Sequence, residues 1–233
     1  MKQGKEHKSN ANYFGQKEWI KYTGFGLLIV GAALFLWGWS YISYLLSVAM
    51  IPAGLAILLI ESIRCSNDND ITEYIQNHLA AVEIDEVENK EFKQRRLKSP
   101  EPEICEGYEY REGVMLKKGK KGPVHSSEYT KAIVYPMKDG ICVSRHTISL
   151  IATEEIREIT EIPYEELHNL EVIKEDLRLT FEKNTFPVHS TRLNVEYGEG
   201  KCRSRPCTAN VQTEDFVTRV KRIWMAEQTK NNE

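Results

Sequence analysis

Between Tyr22 and Ile60 the chain carries no Asp, Glu, Lys, Arg or His, and is built mainly from Leu, Ile, Val, Ala, Gly and aromatic residues. As a single helix, residues 22–60 would extend about 59 Å at the usual rise per residue. That is about twice a hydrocarbon core of ~30 Å. The stretch therefore reads as two membrane-crossing helices folded into a hairpin, the first over residues 22–38 and the second over residues 41–60. Whatever follows is a unit held at a membrane face.

Composition matters here because it is divided. Mean hydropathy is −0.45 over the 233 residues, yet the apolar block is free of charge and the remainder is densely charged. Outside the hairpin about 170 residues remain, enough for one soluble domain with its own core. A net charge of −3 leaves no nucleic-acid footprint at the level of the whole chain. Lys2, Lys5, Lys8, Lys17 and Lys21 precede the hairpin, against Glu6 and Glu18, and Arg64 follows it. The connection near Ser40 is uncharged, so the positive-inside rule puts both chain ends in the cytoplasm, as a two-span inner or cytoplasmic membrane protein has them. The 21 residues ahead of the apolar run, mostly polar, are too long a leader for a cleaved signal peptide. The five cysteines, an odd number, fit free thiols in a reducing compartment.

Trp37, Trp39, Tyr41 and Tyr44 cluster where an outer-face aromatic belt belongs, with Trp19, Tyr22 and Arg64 at the inner face. Gly24, Gly26, Gly31, Ala32 and Ala33 in the first span, and Ala49, Ala53 and Gly54 in the second, permit close helix approach. Ala49 and Ala53 have small-xxx-small spacing. Pro52 predicts a kink. The spans hold no ionisable residue to support transport, and a pore would need several copies of the chain.

Four segments follow from this pattern: a cytoplasmic tail (1–21), polar and mobile over residues 1–16 with an interfacial turn at 16–22, the hairpin (22–64), a charged helical stalk (65–103) and a β-rich domain (104–233). Asp70 can cap a stalk helix beginning at Ile71, and Ser99-Pro100-Glu101-Pro102 ends the stalk. From Glu103 the apolar period changes to two. One strand or a pair is expected over residues 108–116, a strand at 129–135, one or two over 141–145 and 147–152, and another at 156–162, then two pieces either side of residues 174–176, then strands at 186–188 and 193–197. Residues 197–210 read as a long loop. Thr213 can cap a final helix with Glu214 and Asp215 in its first turn. Phe216, Val220, Ile223 and Trp224 would line its apolar face.

The run Asp139-Gly-Ile-Cys-Val-Ser-Arg-His-Thr-Ile-Ser-Leu-Ile, followed by Ile162-Pro-Tyr-Glu-Glu-Leu-His-Asn-Leu-Glu-Val, resembles the bacterial pleckstrin-homology-like domains of small membrane proteins. Ile162, Pro163, Tyr164, Leu167 and Leu170 fit the family's Ile-Pro-Tyr segment with Leu for Ile, and the resemblance covers residues 105–228. A two-span hairpin beside such a domain also occurs in that family. The resemblance implies an α+β protein: a mostly antiparallel split barrel closed by a C-terminal helix, with a binding or scaffolding role and no catalytic residue. The long loop at 197–210 and the charged stalk depart from the family pattern.

The basic run Lys117-Lys118-Gly-Lys120-Lys121-Gly places four ammonium groups on a glycine-bearing turn that can hold phosphate, on a lipid headgroup or a nucleotide. An early basic hairpin loop serves that purpose in pleckstrin-homology folds, so the resemblance points the same way. A solvated turn is the plain alternative. The spacing from Gly113 to Gly119, with Lys121 after Lys120, excludes a nucleotide-triphosphatase loop. Arg203 and Arg205 form a second basic loop available to anions. Its Cys202 and Cys207 lack a further Cys/His pair at metal-ligand spacing. His146, His168 and His189 are dispersed, and no zinc helix or nucleophile elbow occurs.

The expectation is a non-enzymatic, membrane-anchored binding protein that needs no cofactor or metal. Its ligand would be a protein, a lipid headgroup or a phosphate-bearing molecule held by Lys117, Lys118, Lys120, Lys121, Arg203 and Arg205. The alternative is a ligand-gated effector of a bacterial defence system, in which nucleotide sensing drives homo-oligomers that perturb the bilayer.

Overall fold

The computed structural model describes residues 2–15, 18–38, 40–79, 90–119, 123–181, 184–198, 200–207 and 211–231. They form two compact units, Met1–Ile71 and Thr72–Glu233.

In the first unit, helices α2 (Glu18–Trp37) and α3 (Tyr41–Arg64) pack antiparallel across a short connection. Each is long and apolar enough to cross a membrane. Small residues set their approach. A methyl group on Gly54 would lie 2.8 Å from the Gly24 carbonyl oxygen, and one on Gly31 would lie 2.9 Å from Ile51 Cγ1. Ala49 and Ala53, expected in this seam, are exposed on the far side of α3, and Ser47 and Gly54 are buried instead. The helix continues through Pro52. Ile29, Leu36, Ile42 and Leu59 project outward, the surface that a lipid-facing helix presents.

The expected polar tail is helical over α1 (Lys2–Phe14). The cause is the set of unpaired groups at the end of α3. Asn12 Nδ2 and Ser9 Oγ donate to the Arg64 carbonyl, and Ser66 Oγ donates to Asn10 Oδ1 at 2.7 Å. Tyr13 OH donates to Asp68. Helix α4 (Asp68–Leu79) starts earlier than expected, and its cap is Asn67 rather than Asp70. Asn67 Oδ1 accepts from the Asn69 and Asp70 N–H groups, and Asp70 Oδ2 accepts from the Asn67 N–H, a reciprocal capping box.

In the second unit the far end of the expected solvated stalk is packed structure. Phe92 of the short helix α5 (Lys90–Arg95) meets Tyr135 edge to face at 5.1 Å. Arg95 pairs with Asp139 and Glu161, and Leu97 N–H donates to the Pro136 carbonyl. The middle of the stalk, residues 80–89, lies outside the described residues.

Strands β1 (Glu103–Tyr108), β4 (Glu128–Pro136), β5 (Gly140–Ser149) and β6 (Glu155–Pro163) make an antiparallel sheet in that order. Strands β2 (Leu116–Lys118) and β3 (Val124–Ser126) form a separate hairpin between β1 and β4. Strands β7 (Leu167–Phe181), β8 (Asn184–Tyr197) and β9 (Lys201–Pro206) make a third sheet. The described strands do not close into a barrel. Two expectations are corrected here. Residues 174–176 continue β7 without a turn, because Lys174, Glu175 and Asp176 pair with Thr191, Ser190 and His189 of β8. The expected loop contains β9, because Cys202, Arg203 and Ser204 pair with Glu196, Val195 and Asn194.

The final helix α6 (Val211–Asn231) begins two residues before Thr213, whose hydroxyl donates to Glu103 instead of capping. Phe216, Val217 and Val220 are buried, Ile223 and Trp224 pack beside them, and Trp224 Nε1 donates to the Tyr164 carbonyl. One apolar core takes in β1, β4, β5 and β6, then β7 and β8, and α6.

Candidate anion-binding site

Period-two alternation explains how charged side chains arise beside this core. Along β5, Ile141 and Val143 belong to the core, and Arg145 is the next residue on the same face. Along β6, running in the opposite sense, Ile162 is a core residue and Glu158 lies four positions back, paired in register with Arg145. Arg203 of β9 lies opposite the core residue Val195. The faces that bury Ile and Val at one end therefore carry guanidinium and carboxylate at the other.

These side chains, with Glu109, Tyr110 and Arg111 after β1 and Arg192 and Ser204 from β8 and β9, line a cleft of about 470 Å³. Glu158 sits between two guanidiniums: it pairs with Arg203, and Arg145 Nη1 lies 3.7 Å away. The Glu109 side chain is only 6% exposed. Its Oε2 accepts from Arg192 Nη2 at 3.2 Å, while Arg145 Nη2 stands 3.8 Å from its Oε1. Arg203 Nε donates to Tyr197 OH, Arg192 Nε to Ser204 Oγ, and Arg145 Nε to Thr147 Oγ1. Arg111 makes a two-pronged bond to Glu128.

The hydrogen bond to Glu158 raises the Arg203 pKa, and the bond to Glu128 does the same for Arg111, so both stay charged. Burial pushes Tyr110 up to about 12. It is therefore a neutral donor, and its hydroxyl is held by the Val124 carbonyl at 2.6 Å. Arg111, Arg145, Arg192 and Arg203 face Glu109, Glu128 and Glu158, which leaves one positive charge in excess. Converging planar forks in a part-buried cleft suit oxyanions.

Of the residues expected to bind anions, Arg203 lines this cleft. Lys117 and Lys118 lie on β2, opposite His125 and Val124 of the β2–β3 hairpin, and are not among its lining residues. Lys120 and Lys121 fall outside the described residues. Arg205 of β9 pairs in register with Leu193 of β8, and its side chain is not among those described. Cys207, expected to be considered with Cys202, instead hydrogen-bonds the buried Cys105, which lowers the Cys207 pKa. Arg145, Arg192, Glu109 and Glu158 were missed, although the inward positions Ile141, Val143, Arg145 break from apolar to charged in plain view.

A wider groove of about 740 Å³ runs beside residues 93–98, with Lys93, Arg96 and Lys98 near Ile104, Ile133 and Tyr135. Arg96 lies over the Tyr135 ring at 5.4 Å. Arg96 is thus engaged with a ring, whereas the smaller cleft brings Arg145 and Arg203 onto one carboxylate and is the stronger candidate. Among the described residues, no group of three or more His, Cys, Asp or Glu is placed to hold a metal ion. Compared with protein families, curated proteins and solved structures, the chain matches none.

Proposed function

We propose that this is a non-enzymatic, two-span membrane protein whose cytoplasmic, pleckstrin-homology-like unit binds an anionic ligand. The convergence of Arg145 and Arg203 on one carboxylate, in a cleft with excess positive charge, carries the reading. The strand order supports the fold assignment. Two antiparallel sheets, β1-β4-β5-β6 and β7-β8-β9, precede a terminal helix, an order compatible with the split barrel and closing helix that the resemblance implies. The hairpin and the lysines preceding it support a bacterial inner-membrane location with both ends inside.

A second reading, the oligomerising defence effector, is favoured by one observation. Ala49 and Ala53 face outward on α3 and leave a small-residue surface for another helix.

The full chain should remain in the membrane pellet after alkaline carbonate washing, and its unfolding temperature in detergent should rise with added citrate or phosphate. Release into the supernatant would overturn the anchor, and indifference to every anion would overturn the binding role. Growth arrest on expression, relieved by Ala53→Leu, is the result that would favour the effector.

A further inference from the structure

We propose that the arginine cleft receives a phosphate group, and that the Glu158 carboxylate holds the phosphate's place until one arrives. The inference rests on the anion-binding reading above and names its ligand class.

Two guanidiniums meet Glu158, Arg203 directly and Arg145 at 3.7 Å. A single carboxylate neutralises one of them. A phosphate dianion matches both charges and offers each fork two oxygens. Glu158 is also the carboxylate able to leave. Its side chain is 32% exposed, it belongs to the edge strand β6, and its backbone stays fixed by pairing with Arg145 while the side chain swings out.

Glu109 is the opposite case. It is buried, and Arg192 holds its Oε2. Its Oε1 lies within the protein without a hydrogen-bond donor, since Arg145 at 3.8 Å is too distant for one. A buried acceptor in a cleft wall asks for a donor from whatever enters. The ligand class is therefore a phosphomonoester that also carries a hydroxyl or amino group: Arg145 and Arg203 take the phosphate, and Glu109 Oε1 takes the donor. Replacing Glu158 uncovers cationic forks, whereas replacing Arg203 removes one.

The test uses the full chain in detergent, with inorganic phosphate and AMP as soluble probes, read by thermal shift and titration calorimetry. Glu158→Gln should bind AMP about tenfold more tightly than the wild type, and Arg203→Lys and Arg145→Lys about tenfold more weakly, the scale of one charge-assisted hydrogen bond. Glu109→Gln should abolish the advantage of AMP over inorganic phosphate. Phosphatidylcholine nanodiscs with and without lysophosphatidic acid, a phosphomonoester with a free hydroxyl, separate the sources. A shift confined to lysophosphatidic acid assigns the site to a lipid headgroup, one confined to AMP assigns it to a soluble ligand, and both support the phosphate site.

Unchanged or weaker phosphate binding by Glu158→Gln overturns the proposal. Should that variant fail to fold, unchanged affinity in both lysine variants overturns it equally. Arg203-dependent binding of citrate without any response to phosphate would reject this inference and leave the anion-binding reading standing. Silence toward every anion rejects both.

Discussion

Tyr110 stands among arginines, which would ordinarily ease ionisation of a phenol, yet burial dominates and pushes its pKa up to about 12. Tyr129 and Tyr164 behave alike, each raised to about 12 chiefly by burial, helped by Glu106 for Tyr129 and by Asp139 and Glu227 for Tyr164. The unfolded phenols titrate near 10. From about pH 10 to about 12 the native state keeps protons that the unfolded state has lost, so stability is intact below this window and falls through it. Urea midpoints measured across that range should decline, and Tyr110→Phe should make the decline shallower. A flat profile would mean that these rings are not desolvated. At this scale the sequence was readable where a residue type carries its own rule, as in the small residues at Gly24, Gly31 and Gly54. It was misleading where two neighbours compete for one role. Asn67 and Asp70 can each cap a helix, and the reciprocal bonds that divide the task become visible only with the backbone in place. Thr213 was drawn away from capping by Glu103, more than a hundred residues distant in sequence.

Among the elements, the hairpin helices and the C-terminal helix were legible because length, charge gaps and apolar spacing define them locally. Strand β9 was hidden because Lys201, Arg203 and Arg205 resemble loop chemistry, and its status as a strand comes from pairing with β8. Helix α1 was hidden for the same kind of reason, since its polar side chains find their partners at the end of α3. The seam between α2 and α3 permits a direct check. Gly54→Val drives a side chain against the Gly24 carbonyl and Leu28, and overpacking of this kind typically costs about 1–3 kcal/mol. The unfolding temperature in detergent should fall clearly. Gly26→Val is the matched control, because a side chain there meets nothing within 4 Å. Equal effects from the two variants would contradict the seam.

At the scale of the molecule, the sequence conveyed the division into an oily part and a β-built part, and conveyed little of where charge gathers. Arg111, Arg145, Arg192 and Arg203 come from segments spread over more than ninety residues, and only the two sheets bring them together. The pair formed by Glu158 and Arg203 links β6, at the margin of one sheet, to β9, at the margin of another, and no backbone ladder joins those two strands among the described residues. The side-chain contact between those two margins is charged, beside the apolar core that the sheets share. Backbone ladders are indifferent to electrolyte, whereas a part-exposed ion pair weakens as the Debye length contracts from about 10 Å at 0.1 M to about 3 Å at 1 M. Amide hydrogen exchange along β6 and β9 should therefore quicken in concentrated sodium chloride while β4 and β5 stay protected. The margins of the two sheets would then loosen along one line, while the apolar core they share stays closed.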